Sequence, residues 1–175
     1  DEETAMAINN RANIYWEEEK WELCIEEYSK AIAAYPSIIF YENRGRVYQT
    51  LKDYDMAIID LTKAIDLDKK DPELYDYRAD CYLDMEDYTN ALKDLDKAIE
   101  VAPQDPRCYN NRAEFYKAQE RYDEALKDYA KVIEISNDDW QLARAFNNRA
   151  NIYTQEEKWE LCVEEYSKSI VAYPS

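Results

Sequence analysis

An arginine returns along this chain at a nearly fixed interval. It stands at Arg11, Arg44, Arg78, Arg112 and Arg149, with spacings of 33, 34, 34 and 37 residues. Each lies in a similar seven-residue phrase: NNRANIY at 9–15, ENRGRVY at 42–48, DYRADCY at 76–82, NNRAEFY at 110–116 and NNRANIY at 147–153. Six residues beyond each closing tyrosine comes another aromatic: Trp21, Tyr54, Tyr88, Tyr122 and Trp159. Three further on comes a small residue: Cys24, Ala57, Ala91, Ala125 and Cys162. A period of this length marks a chain of supersecondary units, each too small to bury its apolar face alone.

Within each unit, apolar and small residues recur three and four apart over two stretches, the spacing of two amphipathic helices. In the third unit Leu74, Tyr75, Arg78, Ala79 and Tyr82 mark the first helix (A). Tyr88, Ala91, Leu92, Leu95, Ala98 and Ile99 mark the second (B). Asp71-Pro72 and Asp105-Pro106 are N-cap and first-turn pairs. Pro36, Pro103 and Pro174 fall where the B helices should stop.

These phrases resemble the tetratricopeptide repeat. The small residue of helix A (Ala12, Gly45, Ala79, Ala113, Ala150), the tyrosine three later, the helix-B aromatic and the helix-B small residue all match its frame. The resemblance implies an all-α fold, a right-handed superhelical solenoid of five antiparallel helix hairpins. It would be a single array over 1–175, with repeats at about 5–37, 38–71, 72–105, 106–142 and 143–175. The glycine often found between helices A and B is replaced by Glu19, Lys52, Glu86, Glu120 and Glu157. The fourth repeat carries three extra residues around Asn137–Leu142, so a longer turn is expected before the fifth.

An acid follows each framework arginine by sixteen residues: Glu27, Asp60, Asp94, Asp128 and Glu165. Each arginine is expected to pair with its own repeat's acid across the hairpin. Repeats one and five are unusually alike, with 26 of 33 positions identical between 5–37 and 143–175. Either a four-hairpin module was duplicated as a unit or one repeat was copied by design. The individual divergence of repeats two to four favours the first. The last helix is expected to expose Tyr166 and Ile170, which would allow head-to-tail association of molecules.

In solenoids of this kind, the resemblance implies, the A helices line a concave groove. The candidate groove residues are Asn9, Asn10 and Asn13 in repeat one, Asn43 and Arg46 in repeat two, and Asp76, Tyr77 and Asp80 in repeat three. Asn110, Asn111 and Glu114 follow in repeat four, and Asn147, Asn148 and Asn151 in repeat five. Trp16, Glu42, Glu73 and Asp84 lie on the same surface. Asparagine is a poor interior helix former, so propensity did not place it there. Its amide offers a donor and an acceptor together, matching an extended peptide's backbone. The competing reading is that these asparagines are solvated or bonded between repeats. Chaperone-binding members of the family grip a C-terminal carboxylate with two lysines, an arginine and two asparagines. Here Asn13 and Asn43 fit, but Asn9, Glu73 and Tyr77 stand at the basic positions, so no such clamp is expected.

Composition narrows the chemistry. Gly45 is the only glycine, which removes phosphate loops and Rossmann turns. The chain has no histidine, hence no His general base or imidazole metal ligand. Its net charge of -17 argues against nucleic acid or an anionic membrane as partner, and no apolar run reaches membrane-spanning length. Cys24, Cys81, Cys108 and Cys162 form no CxxC pair and read as reduced, buried thiols, which suits a cytoplasmic setting. The first residues, from Asp1, lack the charged-then-apolar pattern of a secretory leader. No enzyme, metal or cofactor is expected. The leading expectation is a non-catalytic module binding an extended peptide or a partner helix in its concave groove. Acids at 42, 73, 76, 80 and 84 call for a ligand with a basic stretch. The alternative is a structural scaffold that assembles through repeat ends and outer faces, including head-to-tail self-association.

Overall fold

The computed structural model describes residues 1–173. Pro174, the expected stop of the last helix, lies outside them. Among the described residues the chain forms ten helices and no strand: α1 (Glu2–Glu17), α2 (Trp21–Ala34), α3 (Ile38–Thr50), α4 (Tyr54–Leu67), α5 (Pro72–Asp84), α6 (Tyr88–Val101), α7 (Pro106–Ala118), α8 (Tyr122–Ile135), α9 (Asp139–Gln155) and α10 (Trp159–Ala172). Odd-numbered helices are the A helices and even-numbered ones the B helices. They divide into two compact units, Asp1–Val101 with three hairpins and Ala102–Ser175 with two.

Each hairpin closes where helix A meets helix B through its small residues. Ala12, Ala79, Ala113 and Ala150 are fully buried, as are Ala57, Ala91 and Ala125 opposite them. At Gly45 an added Cβ would come within 3.3 Å of the Leu61 side chain, so the close approach there suits glycine. The turn between the helices is the same in all five repeats. Glu19, Lys52, Glu86, Glu120 and Glu157 adopt φ between 56° and 60°, the left-handed region. The residue after each returns its N–H to the carbonyl of the phrase's tyrosine, as in Lys20 to Tyr15 at 2.9 Å and Asp87 to Tyr82 at 2.8 Å. This Schellman closure satisfies carbonyls that the helix end leaves unpaired.

Stacking between hairpins uses two positions seven apart on each A helix. In α3 these are Phe40 and Val47, in α5 Leu74 and Cys81, and all four are buried. Phe40 packs with Ala5 and Ala31, with Ile8 and Ile32 against them. Val47 packs with Ala12, Cys24 and Tyr28, beside Ile25. In the second unit Ala145 and Ile152 of α9 join the core made by Ala113, Ala125, Tyr129 and Val132.

The helix starts follow their caps. Asp71 and Asp105 accept from the N–H of Glu73 and Arg107, each with proline at the head of the helix. The longer turn expected after repeat four is absent. Asp138 accepts from Gln141 N–H and starts α9 early. The extra residues become an added helical turn, making α9 seventeen residues long against thirteen for α7. A capped helix satisfies those backbone groups better than an open loop would.

Candidate functional site

The framework arginines lie inside the hairpins, on the expected acids. Arg44 Nε and Nη2 reach Asp60 at 2.7 Å each. Arg78 reaches Asp94 at 2.7 and 2.8 Å, and Arg112 reaches Asp128 at 2.8 Å twice. Arg11 Nε reaches Glu27 at 2.7 Å. Lys30 and Arg11 together hold the Glu27 carboxyl below its usual range. The fifth pair is looser: Arg149 Nε lies 3.2 Å from Glu165 without hydrogen-bond geometry. These side chains are structural ties, and they leave the A-helix surface to the other polar residues.

In the first unit the A helices bring Asn13, Trp16, Glu17, Asn43 and Arg46 around a cleft of about 280 Å³, floored by Tyr28 from α2. The Arg46 guanidinium sits 5.7 Å from the Trp16 ring and 5.5 Å from the Tyr77 ring, with the Glu42 carboxylate 3.8 Å away. The charge of an arginine held over aromatic faces stays available for a planar acceptor. Asn10 is exposed, whereas Asn9 is only 4% exposed. Asn43 donates to Asn9 Oδ1 at 3.0 Å, a bond between repeats one and two. Asp76 and Tyr77 are half-buried, and Asp80 is exposed on the same side. Although solvent reaches Asp80, desolvation by surrounding protein and the nearby Asp84 raise its pKa to about 6. Glu42 is raised in the same direction by burial, despite Arg46, with Asp71 and Glu73 adding to the shift.

In the second unit Asn110 is buried, Asn111 and Asn148 are half-buried, and Asn147 and Asn151 are exposed. Glu114 is fully engaged. It accepts from Tyr129 Oη at 2.7 Å and from Asn148 Nδ2 at 2.6 Å, and it pairs with Lys117 at 2.5 Å. Burial and the Glu114 hydrogen bond push the Tyr129 pKa strongly upward. Part of the asparagine series is thus bonded between repeats, as Asn43 to Asn9 and Asn148 to Glu114, and part is exposed, as Asn10, Asn147 and Asn151.

Comparison with known proteins agrees with this architecture. The tetratricopeptide repeat family model matches residues 104–169. The model for subunit 3 of the anaphase-promoting complex, or cyclosome, matches residues 50–132. The crystal structure of MamA protein aligns with a TM-score of 0.78 at 20% identity, over 97% of this chain and 92% of that one. The chain is a tetratricopeptide repeat protein. YrrB, described as a TPR protein with an unusual peptide-binding site, aligns with a TM-score of 0.70 at 24% identity, over 98% of this chain and 87% of its own. At these identities the structural likeness speaks for the fold. Serine/threonine-protein phosphatase 5 of Homo sapiens is 40% identical over 67 residues, 38% of this chain. That match spans 13% of the phosphatase's length.

These tetratricopeptide repeats also carry a correlation that sequence reasoning missed. The residue fifteen positions after Asn13, Glu114 and Asn151 is tyrosine in each case, and its hydroxyl donates back. The bonds are Tyr28 to Asn13 at 2.6 Å, Tyr129 to Glu114 at 2.7 Å, and Tyr166 to Asn151 at 2.7 Å. At the equivalent sites Arg46 and Asp80, the residues fifteen later are Leu61 and Leu95. Neither leucine can return a hydroxyl bond to those two charges. The signal was in the repeat alignment, as a tyrosine that appears only where the A helix offers an acceptor. Among the described residues no cluster of three candidate metal ligands occurs, and no helix is long and apolar enough to cross a membrane.

Proposed function

We propose that this protein is a non-catalytic interaction module whose A-helix surface holds an extended peptide or a partner helix. The fold and cleft support a protein-binding role, and the similarity to a peptide-binding relative points the same way. The observation that carries the finer reading is the pair Arg46 and Asp80. They are the two members of their repeat series with leucine rather than tyrosine fifteen residues on, so no tyrosine hydroxyl returns a bond to them from that position, and both keep charge for a ligand. Arg46, presented by Trp16 and Tyr77, takes a carboxylate or backbone carbonyl. Asp80, crowded by Asp84, takes a basic side chain that relieves the repulsion. Asn13 and Asn43 line the cleft and Asn10 lies on the same helix as Asn13, while the second unit carries its own series, Asn110, Asn111, Asn147, Asn148 and Asn151. The ligand is then a segment with a basic stretch, consistent with 25 acids against 12 bases in residues 1–101. Four buried free thiols fit a reducing, cytoplasmic setting.

A displayed peptide library selected on the whole chain tests this. Selected peptides should carry Lys or Arg, and Asp80→Asn should weaken them about tenfold, the loss of one charge-assisted hydrogen bond. Arg46→Ala should weaken them comparably. Unchanged binding in Asp80→Asn, Arg46→Ala and the triple variant Asn43→Ala, Asn111→Ala, Asn148→Ala would remove the A-helix surface from consideration.

A further inference from the structure

The first unit holds another cleft, of about 700 Å³, between the B helices α4 and α6 with α5 beneath them. Ile65, Tyr75 and Leu92 give it apolar surface. Its buried polar groups are already engaged. The Tyr75 hydroxyl donates to the Lys69 carbonyl at 3.1 Å, and Arg78 is bound to Asp94 and Thr62. Most charges at its rim are matched too. Lys97 pairs with Glu100 at 2.6 Å, and Asp96 is engaged as well. What remains is Lys69 and Lys93 against Asp66, three exposed side chains that make no ion pair among the described residues. An excess of unpaired ammonium stands out in a unit with 25 acids against 12 bases.

The repeat frame shows where that excess arises. Lys69 stands where repeats one and three carry Pro36 and Pro103. Thr89, on the cleft wall, follows the helix-B aromatic. The other four repeats have an acid there: Glu22, Asp55, Asp123 and Glu160. Both departures are exposed, so packing of the hairpins does not call for them. The cleft is also long. Thr89 and Glu100 both line it, eleven residues apart on α6, which is about 16 Å of helix. An extended chain covers that length in about five residues.

We propose that the cleft between α4 and α6 binds an extended acidic segment of a partner protein. One aliphatic or aromatic side chain of the segment lies on Ile65, Tyr75 and Leu92, and its carboxylates reach Lys69 and Lys93. The apolar contact supplies most of the affinity, because exposed ion pairs contribute little. The two ammonium groups set which segments are accepted. A small inorganic anion would leave the apolar surface uncovered. The preferred charge is opposite to that of the A-helix surface, and neither site requires the other.

A displayed library of seven-residue peptides, selected on the whole chain, tests this. Clones are then compared on two variants. Lys69→Gln with Lys93→Gln removes the cleft ammonium groups, and Lys63→Gln with Lys70→Gln removes the same charge outside the cleft. All four lysines are exposed, and circular dichroism checks that both variants stay folded. One class of clones should carry Asp or Glu around a single Leu, Ile, Phe or Met. Its binding should fall at least about fivefold on the first variant and stay within about twofold on the second. Serine in place of the apolar residue should remove most of the binding. The proposal is overturned by the absence of any clone that separates the two variants, or by a separating class that is basic. It is also overturned by a parent chain that sediments as a dimer and that Lys69→Gln with Lys93→Gln returns to monomer, since the occupant is then a second copy.

Discussion

Among the described residues, five hold left-handed backbone without being glycine: Glu19, Lys52, Glu86, Glu120 and Glu157. The Cβ of an L-residue there crowds the following carbonyl, at a cost of about 1–2 kcal/mol. Glycine escapes that cost but loses more entropy on folding, so the net gain is smaller. Lys52→Gly and Glu86→Gly should each stabilise the chain by about 0.5–1 kcal/mol, and their sites lie in separate turns, so the effects should add. Urea midpoints of the two single variants and the double variant check this. Asp80 yields a second prediction at this scale. Its pKa is raised to about 6, so the folded state holds this proton more tightly than the unfolded chain, whose carboxyl keeps the ordinary aspartate value of 3.8. The stabilising contribution is complete below about pH 4 and is lost as pH rises through 6. Asp80→Asn should therefore match the parent near pH 4 and exceed it at pH 7. The difference should stay under about 1 kcal/mol, because solvent reaches the group and screens it. Parallel urea titrations at the two pH values measure it, and a variant less stable than the parent at pH 7 would contradict it.

At the level of the hairpin, the arginine–acid pair is the recurrent polar tie. Asp94 is buried and bound twice by Arg78. Arg78→Ala should cost about 3–5 kcal/mol, mostly from stranding that carboxylate, while replacing both partners with leucine should cost much less. A double-mutant cycle by urea denaturation separates the two contributions. Arg44 and Arg78 also reach the preceding hairpin, through Ser29 at 2.7 Å and Thr62 at 2.9 Å. In α8 the position equivalent to Ser29 and Thr62 is Ala130, which offers Arg149 no side-chain acceptor, and Arg149 holds its own acid loosely. Ala130→Ser should supply the missing acceptor and stabilise the second unit by about 1 kcal/mol, a charge-assisted bond offset by serine's lower helix propensity. Thermal unfolding measures the gain, and no gain from Ala130→Ser would detach Arg149 from this scheme. These ties were legible in the sequence because each arginine and its acid keep a constant interval of sixteen within one repeat. The small residues, the capped prolines and the recurring turn were legible for the same reason. The state of the groove was less so. Asn43 bonds Asn9 across 34 residues, and Asn148 bonds Glu114 across the same interval. Whether an amide turns to its neighbour or outward depends on stacking geometry, which composition and spacing do not encode. The three extra residues of repeat four lengthen α9 rather than the turn because the Asp138 carboxylate caps that helix at Gln141 N–H.

Across the chain, charge is unevenly shared. Residues 1–101 carry 25 acids against 12 bases, a net of -13, while residues 102–175 carry 14 against 10, a net of -4. Many of the bases are already paired within the hairpins, so the excess acids repel one another; at Asp80 and Glu42 burial is the first cause of the raised pKa, and neighbouring acids add to it. Salt should then act in opposite directions on folding and on binding. Raising ionic strength from 0.01 to 0.15 M shortens the Debye length from about 30 Å to about 8 Å. Screened self-repulsion should raise the thermal midpoint by a few degrees, about 1 kcal/mol in a chain of this size. Over the same range a basic peptide on the first unit should lose affinity, chiefly through a slower association rate. Thermal scans and stopped-flow titrations in the same buffers read both effects. A thermal midpoint that falls with salt would mean that surface ion pairs such as Lys97–Glu100 and Lys131–Glu134 outweigh the general repulsion. An association rate indifferent to salt would mean that the acidic surface of the first unit does not steer the ligand.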